Sequence, residues 1–221
     1  MNSDPVGVET LKIMAMARHY NRWLFRVIKP HLVGRIAEVG SGTGTFTNML
    51  VDEGHQVTTI DINPEYLSQE VLDLQTKNLP RHLVNKFDTI LALNVVEHLQ
   101  RADQALANFS RLLKTGGKLI VLVPQGQWAY GSLDRSLGHI QRYDLAGLRR
   151  VISGAGLKVV LVRSLNFWGV WGWWWNSRIV KRQLLPAWQV KLFDVLAVPW
   201  LWLESFISPP LGLSLLAVAT K

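Results

Sequence analysis

The short strand expected at residues 35–39 opens straight into Gly40-Ser41-Gly42-Thr43-Gly44, and helical spacing resumes directly behind it, to about residue 53. A short strand, a glycine turn and a helix in that order make the first unit of a layered α/β sheet. The spacing excludes two familiar phosphate loops. The dinucleotide fingerprint is G-x-G-x-x-G, whereas this loop reads G-x-G-x-G. A Walker loop would continue into Gly-Lys-Ser/Thr, and this one does not. Glycine takes positive φ freely and lets a ligand approach the backbone closely. Three glycines in five residues therefore leave a flat wall of free amides at a helix N-terminus, suited to a carboxylate or another small polar group. An ordinary turn is the bland alternative.

The rest of the chain repeats the alternation. A helix is expected over 8–29, with Ile13, Met16, Ala17, Tyr20, Leu24 and Val27 at helical spacing and Pro30 stopping it. Strands are expected at 55–61, 70–74, 87–93, 118–124, 157–165 and 213–220. Residues 87–93 are apolar on both faces, as a buried parallel strand should be. Asn63-Pro64 should open a short helix, Gly116-Gly117 should close one over 102–114, and Asp144 should cap another running to Gly154 or Gly156. This pattern predicts a Rossmann-like three-layer α/β sandwich around a mostly parallel sheet. At 221 residues and 48% apolar composition, one domain is the expectation. Its parts are an N-terminal helical lid at 1–30, a core at 31–165, a helical insertion at 166–211 and a final strand at 212–221.

Asp61 ends the second strand, seventeen residues past Gly44, where an acceptor meets a ribose diol. A cap for the turn at Asn63-Pro64 is its structural alternative. At this point "IAEVGSGTGTF", "VTTID", "VLDL", "FDTILALNVVEHL" and "LLKTGGKLIVLVP", in this order, resemble the class I S-adenosylmethionine-dependent methyltransferases. The resemblance covers about residues 33–165 and resumes in the last strand. It implies a seven-stranded sheet with an antiparallel last strand, and S-adenosylmethionine as cofactor. Residue by residue, it implies that Glu38, Gly40, Gly42 and Gly44 line the methionyl and ribose region. Asp61 would take the ribose hydroxyls and Ile62 would pack on the adenine. Asp73 would accept from the adenine amino group, Leu74 would cover the ring, and Asn94 would face the sulfonium. A non-catalytic cofactor-binding subunit is a different reading of the same motifs.

Open α/β sheets bind ligands beyond the carboxyl ends of their strands. Here those positions hold Asn94, Glu97 and His98 after the fourth strand and residues 124–143 after the fifth. His139 is the candidate general base or acceptor contact, since imidazole suits proton removal near neutral pH. Arg142 and Tyr20 are further catalytic candidates, and Tyr20, Trp128, Tyr143 and His98 are candidate acceptor contacts. Arg142 and Tyr143 have a plainer reading as pins for their loop. The G-H-x-x-R-Y pattern at 138–143 also resembles a subgroup of bacterial methyltransferases near quinone-ring and polyprenyl-phosphate sugar enzymes. The acceptor implied is a small molecule, apolar or lipid-linked, methylated on oxygen or nitrogen.

Charge matters by position. Between Leu145 and Phe193 there are eight basic residues and no carboxylate, while the remainder carries sixteen of each sign, so the net charge of +8 sits in one segment. That segment overlaps the stretch Trp168 to Trp202, which holds eight of the ten tryptophans. Some 45 residues thus stand between the sixth and seventh strands, enough for one or two helices. Trp168, Trp171 and Trp175 lie at helical spacing, so one apolar face is expected, and Trp173 and Trp174 leave it. The insertion is read either as a cap filling the core, or as an anchor on an anionic membrane surface. A homodimer interface is a third use for it, against a monomer. Basic residues among aromatics also suit RNA, so an RNA methyltransferase is an alternative, but the tryptophans are too dense and no nucleic-acid module is visible. The chain has no cysteine and its six histidines are scattered, so no metal site is expected. The first ten residues lack a signal-peptide pattern and no apolar run reaches about 18 residues, which sets a cytoplasmic expectation.

Overall fold

The computed structural model describes residues 5–66 and 68–221. Seven strands make one sheet: β1 (Ile36–Val39), β2 (Val57–Asp61), β3 (Glu70–Val71), β4 (Phe87–Leu93), β5 (Leu113–Pro124), β6 (Lys158–Leu165) and β7 (Ser214–Thr220). Their order is β3-β2-β1-β4-β5-β7-β6. The pairs from β3 to β5 are parallel, and β7 runs antiparallel to both β5 and β6. This is the expected sheet, antiparallel last strand included. The order in which successive strands are added reverses between the parallel neighbours β1 and β4, which places a crevice over the carboxyl ends of those two strands. Every residue of β1 is buried and β4 is almost wholly so, because helices cover both faces.

The helices are α1 (Pro5–Ala15), α2 (Arg18–Ile28), α3 (Thr45–Asp52), α4 (Ala102–Leu112), α5 (Ser132–Ser136), α6 (Leu145–Gly154), α7 (Phe167–Trp174), α8 (Ala187–Leu196) and α9 (Val198–Glu204). One face of the sheet packs a core of Phe87, Ile90, Leu106, Phe109, Leu112 and Leu148. The other packs Trp23, Leu24, Ile28, Ile36, Leu50, Leu91 and Leu122 against α2, α8 and α9.

Five local expectations are corrected. The helix expected at 8–29 breaks at Met16 and Ala17. Its second half has its own cap, the carboxylate of Asp194, which accepts from the amides of His19 (3.1 Å) and Tyr20 (2.8 Å). A cap supplied from 174 residues away leaves no local sequence signal. Asn63-Pro64 opens a turn, with the Asn63 side chain accepting from the Glu65 amide at 3.0 Å, and Asn63–Tyr66 stays non-helical. Strand β3 covers only Glu70 and Val71, so Asp73 and Leu74 lie beyond it. The helix of 102–114 ends at Leu112 and β5 starts at the next residue, because the carboxyl end of β7 holds the Gly116-Gly117 corner through Gly116 N–H to Lys221 O and Lys221 N–H to Gly117 O. The insertion forms three helices, with a π-turn (Trp175–Ile179) extending α7, where one or two were expected.

Candidate active site

The glycine loop leaves β1 with Gly40, Gly42 and Gly44 all at positive φ (67°, 50° and 78°). A Cβ on Gly40 would lie 2.4 Å from Val95 Cγ2, so the turn after β4 closes directly on the loop. A Cβ on Gly42 would lie 3.1 Å from Leu11 Cδ1 of α1. The N-terminal helix therefore rests on the loop, as a lid would. Behind the loop, Glu38 is buried in β1 and accepts from the Thr47 hydroxyl. Burial pushes its carboxyl up to about 7, against the lowering pull of Thr47.

Asp61 sits at the end of β2, 7% exposed, and its two oxygens are aimed by backbone amides: Gly42 N–H at 3.0 Å and Asn63 N–H at 3.0 Å. The capping reading is visible here, since Asp61 organises both the glycine loop and the turn at Asn63. Ile62, beside it, is 58% exposed. Asp73 is exposed and accepts from the Gln75 amide at 2.8 Å. Leu74 turns the other way, into the core, and its carbonyl accepts from Asn108. Asn94 ends β4 with φ of 54°, a left-handed conformation uncommon for residues other than glycine. It is exposed at the crevice, and its amide is anchored on Leu122 O at 2.8 Å.

Beyond β4 and β5 a second cluster forms. Asp134, fully buried in α5, accepts at Oδ1 from Arg142 Nε (2.8 Å) and meets His139 Nδ1 (2.9 Å). Its Oδ2 accepts from Gly131 N–H (3.0 Å) and from the indole N–H of Trp173 (3.2 Å). Burial pushes the Asp134 carboxyl up, but the hydrogen bond to His139 and the Arg142 charge outweigh it and hold it below the ordinary carboxylate range. The Arg142 guanidinium lies 5.1 Å over the Trp173 ring and donates to Gln125 O at 3.1 Å. His139 meets His98 edge to face, with ring centroids 4.8 Å apart. Glu97 is buried beneath them, and burial pushes its carboxyl up to about 8.

The remaining candidates are spread along the same edge. Trp128 is 43% exposed, its indole folded against Gly126. Tyr143 is buried, with its hydroxyl accepting from Gln141 at 2.8 Å and its backbone tied to Pro124 and Gly126, so it pins the loop. Arg142 has the same anchoring role, with its guanidinium committed to Asp134 and Gln125. Tyr20 is buried and its hydroxyl is within hydrogen-bonding reach of Asn166 and Ser214; burial pushes it up to about 12, which makes it a neutral phenol. Sequence reasoning put Trp173 outside the face of Trp168, Trp171 and Trp175, and its indole braces Asp134. The tryptophan pattern gave no signal of this, because α5 is a separate segment.

A surface hollow of about 840 Å³ lies elsewhere, lined by Arg35, His55, His82, Asn85 and Lys114 at the amino ends of the strands. An α/β sheet of this kind binds ligand at the opposite edge.

Residues 15–162 match the family described as "Methyltransferase domain". The glycine N-methyltransferase of Oryctolagus cuniculus is 27% identical over a 131-residue alignment that covers 46% of this chain and 44% of that protein. The chain spans about half the length of the curated relatives it matches. A SAM-dependent methyltransferase from Thermotoga maritima shares the fold at 17% identity with a TM-score of 0.64, covering 96% of this chain and 95% of that one. Phosphoethanolamine N-methyltransferase 2 of Haemonchus contortus, solved with S-adenosyl-L-methionine, aligns with a TM-score of 0.59 at 17% identity, over 91% of this chain and 52% of that one.

Proposed function

The chain belongs to the methyltransferase-domain family, and from that premise we propose that it methylates an oxygen or nitrogen of a small, apolar or lipid-linked acceptor, with S-adenosylmethionine as donor. The donor supplies a methyl group already activated on a sulfonium carbon, so alignment of the acceptor carries most of the catalysis.

The observation that carries the cofactor assignment is the pairing of three left-handed glycines with the Asp61 carboxylate across the crevice. The loop gives room for a methionyl chain against bare backbone, and Glu38 lies beneath it to meet the ammonium. Asp61 would hold the ribose hydroxyls, Ile62 would cover the adenine, and Asn94 would face the reacting centre. Asp73 is exposed enough to reach the adenine amino group, while Leu74 would act only through the core beneath it.

On the acceptor side, Asp134 occupies Nδ1 of His139 and leaves Nε2 as the nitrogen that takes the acceptor proton. Trp128 and His98 would border the acceptor, and Tyr20 would support that edge from behind. The membrane reading rests on the insertion. Its two carboxylates both point inward, Asp194 to the amide ends of α2 and Glu204 to the amides of Asn166 and Phe167. Outward it shows Trp168, Trp171, Trp175, Trp200, Trp202 and Phe206, each 46–71% exposed, beside exposed Arg178, Lys181 and Lys191. That composition suits an anionic headgroup layer. Two copies meeting through this face would set those cations against each other, which favours the membrane over a homodimer. Among the described residues no helix is long and apolar enough to cross a membrane.

Calorimetric titration with S-adenosylmethionine and its demethylated product tests the cofactor. Asp61→Ala should weaken binding by about 1–3 kcal/mol, the scale of lost hydrogen bonds to a charged group. Absence of binding by either compound at millimolar concentration would refute the assignment. Labelled methyl transfer into cell extracts, split into lipid and aqueous fractions, then identifies the acceptor class.

A further inference from the structure

Glu97 has no task in the reaction described above. It is fully buried, and among the described residues neither carboxyl oxygen has a hydrogen-bond partner. Native proteins seldom leave a buried polar group unmatched, and a carboxylate with both oxygens bare is the costliest such case. The nearby Arg142 does not resolve it. Its Nε and Nη1 are spent on Asp134 and Gln125, and its Nη2 is unpartnered as well.

The neighbours of Glu97 are metal-binding side chains. One ligand atom from each of Glu97, His98 and His139 lies within 4.8 Å of the other two. The segments carrying them are tied by backbone: Ile140 N–H donates to Glu97 O at 2.8 Å, and His139 N–H to Asp134 O at 2.9 Å. Asp134 holds Nδ1 of His139, and a carboxylate on the far nitrogen is the outer contact that metal-bound imidazoles carry. Donors in a tetrahedral zinc site stand about 3.4 Å apart. Closing to that distance requires a shift of an ångström or so, which the exposed His98 has room to make.

We propose that Glu97, His98 and His139 form a two-histidine, one-carboxylate site for a divalent transition ion of the zinc type, with its open position toward the acceptor edge. Two imidazoles with one carboxylate select such an ion over magnesium or calcium, which take oxygen donors. The six histidines are scattered in sequence, which is why spacing alone pointed to no metal. Folding brings two of them together across forty-one positions. An ion and a proton compete for Nε2 of His139, so a molecule carrying the ion cannot use that nitrogen as a base. The site stands on these three side chains and not on the transfer reaction.

Cobalt(II) is the probe, titrated into the metal-stripped full chain and followed by visible absorption. The expected result is one ion per chain with the intense bands of a four-coordinate site, displaced by zinc. His98→Ala alters an exposed side chain and should leave the fold intact by circular dichroism. It should weaken binding at least by the roughly 10–100-fold that loss of an outer contact costs. Glu97→Gln should do the same while keeping the side-chain shape. A weak six-coordinate spectrum in the wild type would overturn the site, as would a four-coordinate spectrum unchanged by His98→Ala.

Discussion

Replacing Trp171, Trp175 and Trp202 with serine should release the protein from anionic vesicles without harming its fold. These rings are 48%, 55% and 64% exposed, and Trp202 meets Phe206 edge to face, with ring centroids 5.2 Å apart. An aromatic side chain of this size buries about 150–250 Å², so each half-exposed ring offers about 100 Å² to a bilayer. At about 25 cal/mol per Å² that is about 2.5 kcal/mol each for complete burial. Interfacial insertion is shallow, so about 1–2 kcal/mol each is the working figure. Three rings then contribute about 3–6 kcal/mol, a fall in partitioning of about a hundredfold or more at 1.4 kcal/mol per decade. Arg178, Lys181 and Lys191 add about 1 kcal/mol each on anionic lipid. Raised salt removes much of that, as the Debye length shrinks from about 10 Å at 0.1 M to about 3 Å at 1 M.

The assay is flotation with phosphatidylserine-containing and with purely zwitterionic vesicles, at low and high salt. Wild type should float with the first, poorly with the second, and the triple variant with neither. Equal flotation on both lipids would refute the electrostatic part of the reasoning. Retained flotation of the triple variant would refute the assignment of the face. Loss of folded structure in the variant would show that the rings are packed and the calculation misplaced. Trp173 is the wrong residue for this test, because its indole donates to Asp134.

Trp173→Phe keeps a ring over Arg142 but removes the N–H on Asp134, so stability should fall by about 1 kcal/mol in urea unfolding. Turnover should drop while cofactor affinity holds, and an unchanged rate would separate the indole from the Asp134–His139 pair. Burial raises Glu38 to about 7 in the folded chain, so its stabilising effect is complete below the unfolded value near 4.5 and is lost as pH rises through about 7. Glu38→Gln should therefore gain on wild type between pH 5 and pH 8 by at most about 3 kcal/mol at 1.36 kcal/mol per unit; parallel unfolding curves for the two proteins at all pH values would contradict this.

The sheet was legible because its signals are local. The apolar run of β4 spans residues 87–93 in both the sequence reading and the structure, and the glycine loop sits where its spacing placed it. What escaped depends on distant partners. The break at Met16 and Ala17 follows from Asp194, the early start of β5 from Lys221, and the true orientation of α7 from Asp134. Helical spacing correctly set Trp168, Trp171 and Trp175 apart from Trp173. It could not say which side faces water, since both sides of α7 are equally apolar. The polar partner decided: Trp173 has an indole N–H that a buried carboxylate accepts, while the other three rings stay outside. Glu97 and Asp134 stood in view after their strands, but a buried carboxylate and a solvated one look alike in sequence.

The insertion and the acceptor edge are mechanically one piece. Ser132 at the start of α5 donates to Ser177 O and Arg182 O, the Ser177 hydroxyl accepts from the Leu133 amide, and Trp173 reaches Asp134. At Gly131 a Cβ would fall 2.2 Å from Ser177 Oγ, so the two segments are in backbone contact and cannot slide independently. Asp134 in turn fixes the imidazole of His139. The helix whose outer face carries Trp168, Trp171 and Trp175 thus carries on its inner face the donor that orients the acceptor-side carboxylate. A bilayer holding the outer face would set the orientation of the acceptor edge relative to the lipid. On the proposed function, an apolar acceptor would then pass from the bilayer to His139 along α7 without crossing bulk water. The same rigidity argues against the insertion as a loose tether, since a tether would not need Ser132, Ser177 and Trp173 locked to α5.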